Sequence, residues 1–179
     1  MTKPQMAANP LGYERIGKLL TTYAIPSIIS LIINSLYNMV DQIFIGQGVG
    51  FLGNGATNII APISTIAIAI ATLFGDGLAA FFSLNLGQGN EDKAAKGVGT
   101  AVISSSIISV LYAVFAFVFL VPLCRIFGAT DNIMPYALGY GHIIVIGFPF
   151  AIVATVINSA IRTDGSPRYA MFSMMIGAI

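Results

Sequence analysis

Four long stretches of this sequence contain no Lys, Arg, Asp or Glu. They run for 22 residues between Lys18 and Asp41, 34 between Asp41 and Asp76, 28 between Lys96 and Arg125, and 30 between Asp131 and Arg162. About 20 predominantly apolar residues carry an α-helix across a bilayer. Each run is long enough to span, and none alternates in the way a transmembrane β-strand would. Charged residues make up 8% of the 179-residue chain and hydrophobic residues 56%. So few charges cannot solvate the surface of a water-soluble domain, which excludes an ordinary cytosolic enzyme. The net charge of +1 provides no basic field for a nucleic acid. The single Cys124 and single His142 exclude an internal disulfide framework and any multi-cysteine or multi-histidine metal site. There is no Walker A loop or nucleophile elbow, so neither an enzyme nor a resident cofactor is expected. The composition predicts an all-α, polytopic membrane bundle whose first partner is the lipid bilayer.

The charges then act as punctuation. Residues 1–18 form a polar N-terminal segment, and 19–179 form the transmembrane region. Within it the spans are Leu19–Ile45, Ala56–Leu86, Val98–Val121 and Tyr136–Ile161, with a fifth starting near Arg168. The N-terminal segment is too polar for a signal-peptide core. Lys and Arg in short loops set orientation. Three lie in the N-terminal segment, two in loop 87–97 and two in loop 162–168, against one, Arg125, in loops 46–55 and 122–135 together. The expected topology is therefore a multi-pass protein of the cell membrane with a cytoplasmic N-terminus, and Cys124 facing outward. The chain ends inside an apolar run and reads as incomplete.

Polar residues inside the spans fall on stripes. In span one Ser27, Ser30, Asn34, Asn38 and Asp41 lie within an arc of roughly 80° at 100° per residue. Asp41 lies roughly 14 Å past the middle of the span. It reads either as an interfacial aspartate or as an ion-binding or protonatable carboxylate in a cavity, because intramembrane carboxylates are costly and usually functional. In span two Asn58, Thr65, Thr72, Asp76 and Ser83 lie within roughly 40°. Gly75 and Gly77 bracket Asp76, so a close helix contact is expected there. Asn34, Asn38, Thr72, Asp76 and, in span four, Asn158 are the candidate cavity-lining residues. Pro26 is a candidate helix kink. His142, the span-three serines and the tyrosines Tyr136 and Tyr140 read as packing or interfacial residues.

Three segments together resemble the multidrug and toxic compound extrusion (MATE) family of secondary transporters. They are NSLYNMVDQIFIG (Asn34–Gly46), SLNLGQGNEDKA (Ser83–Ala94) and IRTDGSPRYAM (Ile161–Met171). The resemblance implies twelve helices in two six-helix lobes around a central cavity, of which this chain supplies four and the start of a fifth. It implies antiport by alternating access, exporting cationic or amphipathic compounds in exchange for H⁺ or Na⁺. It also implies an ion-coupling role for Asp41 and a bend at Pro26. Asp76 departs from the family pattern. The alternatives are a lipid-linked oligosaccharide flippase of the same wider fold, which would need a cationic cavity, and a non-transporting membrane subunit.

Overall fold

A computed structural model describes residues 15–164 and 169–173. Five helices follow one another: α1 Ile16–Gly48, α2 Phe51–Gly87, α3 Glu91–Val118, α4 Leu120–Ile126 and α5 Met134–Thr163. Residues 169–173 are again helical, and no strand occurs among the described residues. α2, α3 and α5 are each long and apolar enough to cross a membrane. The four expected spans correspond to α1, α2, α3 and α5, but two expected loops are shorter than the charge pattern suggested. Loop 46–55 contracts to a turn at Val49 and Gly50, where Gly50 takes a positive φ of 78°. Loop 87–97 contracts to Gln88–Asn90, with Gly89 at φ 74°. Lys93 and Lys96 consequently lie in α3 rather than in a loop. Apart from Asp92, the segment Glu91–Lys96 consists of good helix formers, and the acids Glu91 and Asp92 sit in the first turn, where they complement the helix dipole.

The third span also ends differently. α3 stops at Val118 and the short α4 resumes at Leu120. Pro122 explains the break: it has no N–H to donate to the Val118 carbonyl, and its ring would clash there. α4 packs onto α5 with Leu120 and Cys124 fully buried. Cys124 therefore lies in a helix and is buried, rather than being an accessible loop thiol. Burial pushes its pKa above the usual thiol value, which further lowers its reactivity.

α2, α3 and α5 pack against one another as a three-helix core, with α2 and α5 in the most extensive contact. Small residues make the close approach possible: Ala56, Ala67 and Ala71 on α2, Ala113 and Ala116 on α3, Ala137 and Gly141 on α5 are all buried. Ile60, Ile63, Val145 and Ile152 fill the remaining space. One polar joint ties the three helices together. The Tyr112 hydroxyl of α3 donates to the Ile63 carbonyl of α2 at 2.6 Å, and its ring stacks on Phe148 of α5 at 5.7 Å. Ser105 and Ser109 are fully buried on α3 and donate to their own helix, at Val102 and Ser106.

α1 belongs to this core only at its end. It meets α2 across the turn, where a Cβ on Gly53 would stand 2.8 Å from the Val49 Cβ and 3.0 Å from the Ile45 Cγ2. Large side chains along the rest of α1, including Leu31, Ile32, Leu36 and Met39, are exposed.

The glycine pair around Asp76 divides. A Cβ on Gly75 would lie 2.8 Å from the Ser159 Oγ and 3.4 Å from the Ser159 Cβ, whereas a Cβ on Gly77 would meet nothing within 4 Å. Of the two glycines, only Gly75 stands at an α2–α5 contact. In a full-length protein carrying this segment, Gly75→Val overpacks that contact and costs about 1–3 kcal/mol. The measured outcome is a lower melting temperature and folded yield in detergent, with Gly77→Val close to wild type. Equal behaviour of the two variants would contradict the packing described.

Candidate functional site

The α2 stripe lies on the side of the helix away from the core. Asn58, Thr65, Thr72, Asp76 and Ser83 are all exposed, while Ile60, Ile63, Ala67, Ala71, Gly75 and Leu78 face inward. Asp76 is thus not at the helix contact expected from its flanking glycines; it stands on the open face one residue from that contact. The polar groups beside it satisfy themselves locally. The Asn58 amide donates to the Asn54 carbonyl at 3.0 Å, the Thr65 hydroxyl to Ala61 at 2.9 Å, and the Thr72 hydroxyl to Ile68. Spending the donor on the preceding turn leaves the oxygen lone pairs outward. The face therefore presents acceptors and one carboxylate, with no Lys or Arg on the stripe.

A second polar group gathers where the ends of α1 and α2 meet α5. Asp41 is half-buried, and Tyr140 of α5 lies within electrostatic reach of both Asp41 and Tyr37. Tyr140 is itself partly buried, so it is not a fully exposed belt residue. One residue after Asp41, the Gln42 Oε1 accepts a hydrogen bond from the Thr57 hydroxyl at 3.2 Å. The Asn54 amide packs against Gly46, where an added Cβ would lie 3.1 Å from its Nδ2. The Asn54 Oδ1 is buried with no hydrogen-bond partner among the described residues. Gln42, Asn54, Thr57 and Tyr140 were not candidates from sequence. Asn54 fell in the expected loop 46–55, and Tyr140 fitted an aromatic-belt pattern equally well.

The other candidates separate. Asn38 is exposed on α1. Pro26 and Asn34 are within α1, but their side chains lie outside the described residues. Asn158 does not line a cavity: it is 7% exposed and forms a clasp. Its Nδ2 donates to the Ala170 carbonyl at 3.0 Å, and its Oδ1 accepts from Arg162 at 3.2 Å. It thereby bridges α5 to the helical stretch beyond the crossing. His142 packs its ring on Phe117 at 4.9 Å. The expected crossing residues 165–168 lie outside the described residues. Among the described residues no group of three or more His, Cys, Asp or Glu is placed to hold a metal ion.

An apolar helical bundle with membrane-length helices and a carboxylate on an open face fits the class of polytopic membrane proteins. The MatE family profile matches residues 26–179, and the chain belongs to that family. Among relatives, the chain is 26% identical to the multidrug export protein MepA of Staphylococcus haemolyticus, over 89% of this chain and 35% of that protein. It is 24% identical to an FAD transporter of Shewanella oneidensis, over 92% of this chain and 36% of that protein. The solved structure of the MATE multidrug transporter DinF-BH, determined as a complex, aligns with a TM-score of 0.89 at 34% identity, covering 99% of this chain and 39% of that one. The chain thus spans little more than a third of the length of the proteins it matches.

The Asn158 clasp has a measurable consequence. Asn158→Ala removes one buried donor and one acceptor and strands the Ala170 carbonyl, a loss of about 1–3 kcal/mol. The full-length protein should melt lower in detergent, with Asn158→Asp intermediate because it still accepts from Arg162. Unchanged melting in both variants would remove the clasp from the structural account.

Proposed function

We propose that this chain forms part of a secondary active exporter that carries cationic or amphipathic compounds outward in exchange for H⁺ or Na⁺. The observation that carries the reading is the open α2 face. Acceptor oxygens and the Asp76 carboxylate suit a cation, and they suit an anion poorly. The named relatives divide between multidrug export and FAD transport. FAD bears a pyrophosphate, and that chemistry calls for Arg or Lys. The same argument counts against a lipid-linked oligosaccharide flippase. Membership of a transporter family speaks against the non-transporting subunit.

The two carboxylates lie at different depths. Asp41 is seven residues from the Gly48 end of α1, or about 10 Å, and Asp76 is eleven residues from the Gly87 end of α2, or about 17 Å. With the N-terminus cytoplasmic, Asp41 belongs to the outer half of the membrane and Asp76 to the inner half. In the proposed cycle an external H⁺ or Na⁺ neutralises Asp41 while the outer side is open. This changes the electrostatic environment that α1 presents to Tyr140 and biases the packing of α1. Substrate is released, and the transporter returns inward. Exchange requires that ion and substrate favour different states, because a ligand with equal affinity for both shifts neither.

Two experiments test this reading. Asp41→Asn keeps the side-chain size and removes the charge. In the full-length protein it should abolish efflux driven by an imposed proton or sodium gradient, with membrane insertion unchanged. Normal gradient-driven efflux would move coupling to Asp76 or to residues outside this chain. Orientation is tested by Asn132→Cys in a Cys124→Ala background, since Asn132 is exposed whereas Cys124 is fully buried. An impermeant maleimide should label it in intact cells; labelling only in inverted vesicles would reverse the topology.

A further inference from the structure

We propose that the groove between α2 and α3 at their Gln88–Asn90 end binds an anionic phospholipid, its phosphate on Lys93 and Lys96 and one acyl chain along the apolar wall. The groove encloses about 470 Å³. Leu73, Phe74, Leu78 and Phe81 form its α2 wall. Its concavity comes from glycine. Gly77 leaves open space on α2, and on α3 Gly97 lets the Phe81 ring lie directly on the helix backbone, where a Cβ would come within 2.4 Å of the ring. On α3 the lining runs from Lys93 to Ser104, about 17 Å at 1.5 Å per residue. One leaflet of the roughly 30 Å hydrocarbon core has nearly that depth.

The polarity of the groove is graded. Both lysines lie at the mouth, and everything beyond them is apolar or a small hydroxyl residue. Lys93 and Lys96 are exposed and have no ion pair among the described residues. They occupy the first two turns of α3, where the helix dipole disfavours positive charge. Asn90 supplies no side-chain cap to this end of the helix. Glu91 and Asp92 do not line the groove. They border a separate depression with Gly89 and Asn90, which Lys93 also touches, so Lys96 is the cation committed to the groove alone. An unpaired cation pair at a helix N-terminus, above an apolar channel open at its side, matches a headgroup phosphate with its chain attached. Leu73 is 71% exposed and Phe81 46%, so a chain can enter laterally from the bilayer. By the Lys/Arg count this end faces the cytoplasm, where anionic lipids attract juxtamembrane basic residues.

The test uses the full-length protein carrying this segment, purified in detergent and given defined lipids. Native mass spectrometry should show retained phosphatidylglycerol in preference to phosphatidylcholine. Lys96→Gln should lower phosphatidylglycerol retention about five-fold, and Lys93→Gln/Lys96→Gln further, in line with the contribution of one basic residue at an anionic surface. Gly77→Leu places a side chain in open space and fills the channel, so it should lower retention without lowering the melting temperature. Three results would overturn the proposal. The first is equal retention of the two lipids. The second is phosphatidylglycerol retention unchanged by both the lysine and the Gly77→Leu variants. The third is a Gly77→Leu protein that melts lower together with a wild-type protein that retains no phosphatidylglycerol, which would mean that another helix of the protein occupies the groove.

Discussion

The close approach of α2 and α5 is the contact on which the rest of the bundle depends. In a bilayer, apolar side chains gain little by leaving lipid for protein, so association rests on packing and on backbones that can come near. Gly75 against Ser159, Gly141 against Ile60 and Leu120, and the buried alanines on three helices supply that nearness. Once α2 and α5 are seated, α3 closes the triangle, and the Tyr112 hydroxyl finds the Ile63 carbonyl between them. A polar bond at this depth fixes register as well as adding energy, because the alternative is an unsatisfied hydroxyl in an apolar core.

That seating decides which way α2 turns its polar residues. With Ile60, Ala67, Ala71 and Gly75 committed to the core, helical periodicity sends Asn58, Thr65, Thr72 and Asp76 to the other side. The hydroxyls tolerate an apolar setting because their hydrogens are already spent on the previous turn. Asp76 has no such local solution. The stripe is thus a passive scaffold of acceptors around one group that needs an external partner.

Much of this was legible in the sequence. Charge-free runs locate the long helices, since a helix that buries its backbone hydrogen bonds is the simplest way to cross lipid. The α2 stripe is legible because 3.6-residue periodicity needs only the chain itself. Orientation of the stripe was half legible: the residues were grouped correctly, but which neighbour each side met depends on packing. Hence Gly75 and Gly77 looked equivalent and are not, and Asp76 looked like a contact residue and is exposed. Loop boundaries were misplaced wherever charge stood in for structure. Lys93 and Lys96 interrupt hydrophobicity without interrupting the helix, whereas Pro122, an uncharged residue inside an apolar run, does interrupt it. Asn158 was read as polar and therefore cavity-facing; its clasp involves Ala170 across a chain crossing, a relation that no local pattern encodes. The same holds for Tyr140 and Asp41, which lie about a hundred residues apart in sequence.

The exposed carboxylate also bears on what can lie beside this bundle. Asp76 sits well inside a 37-residue apolar helix, about 17 Å from its nearer end. Lipid tails offer it neither a donor nor a counter-charge, and an ionised group there is strongly disfavoured. Such a group is best served by water or by polar protein groups. Among the described residues, the α1–α2 contacts that are resolved in detail lie near the turn. The chain corresponds to 35–39% of the length of the family members it matches. The bundle then has three unlike sectors on α2: a small-residue face for α5, a lysine-capped apolar groove toward α3, and an exposed face that carries a carboxylate. The third sector is the one that lipid tails solvate least.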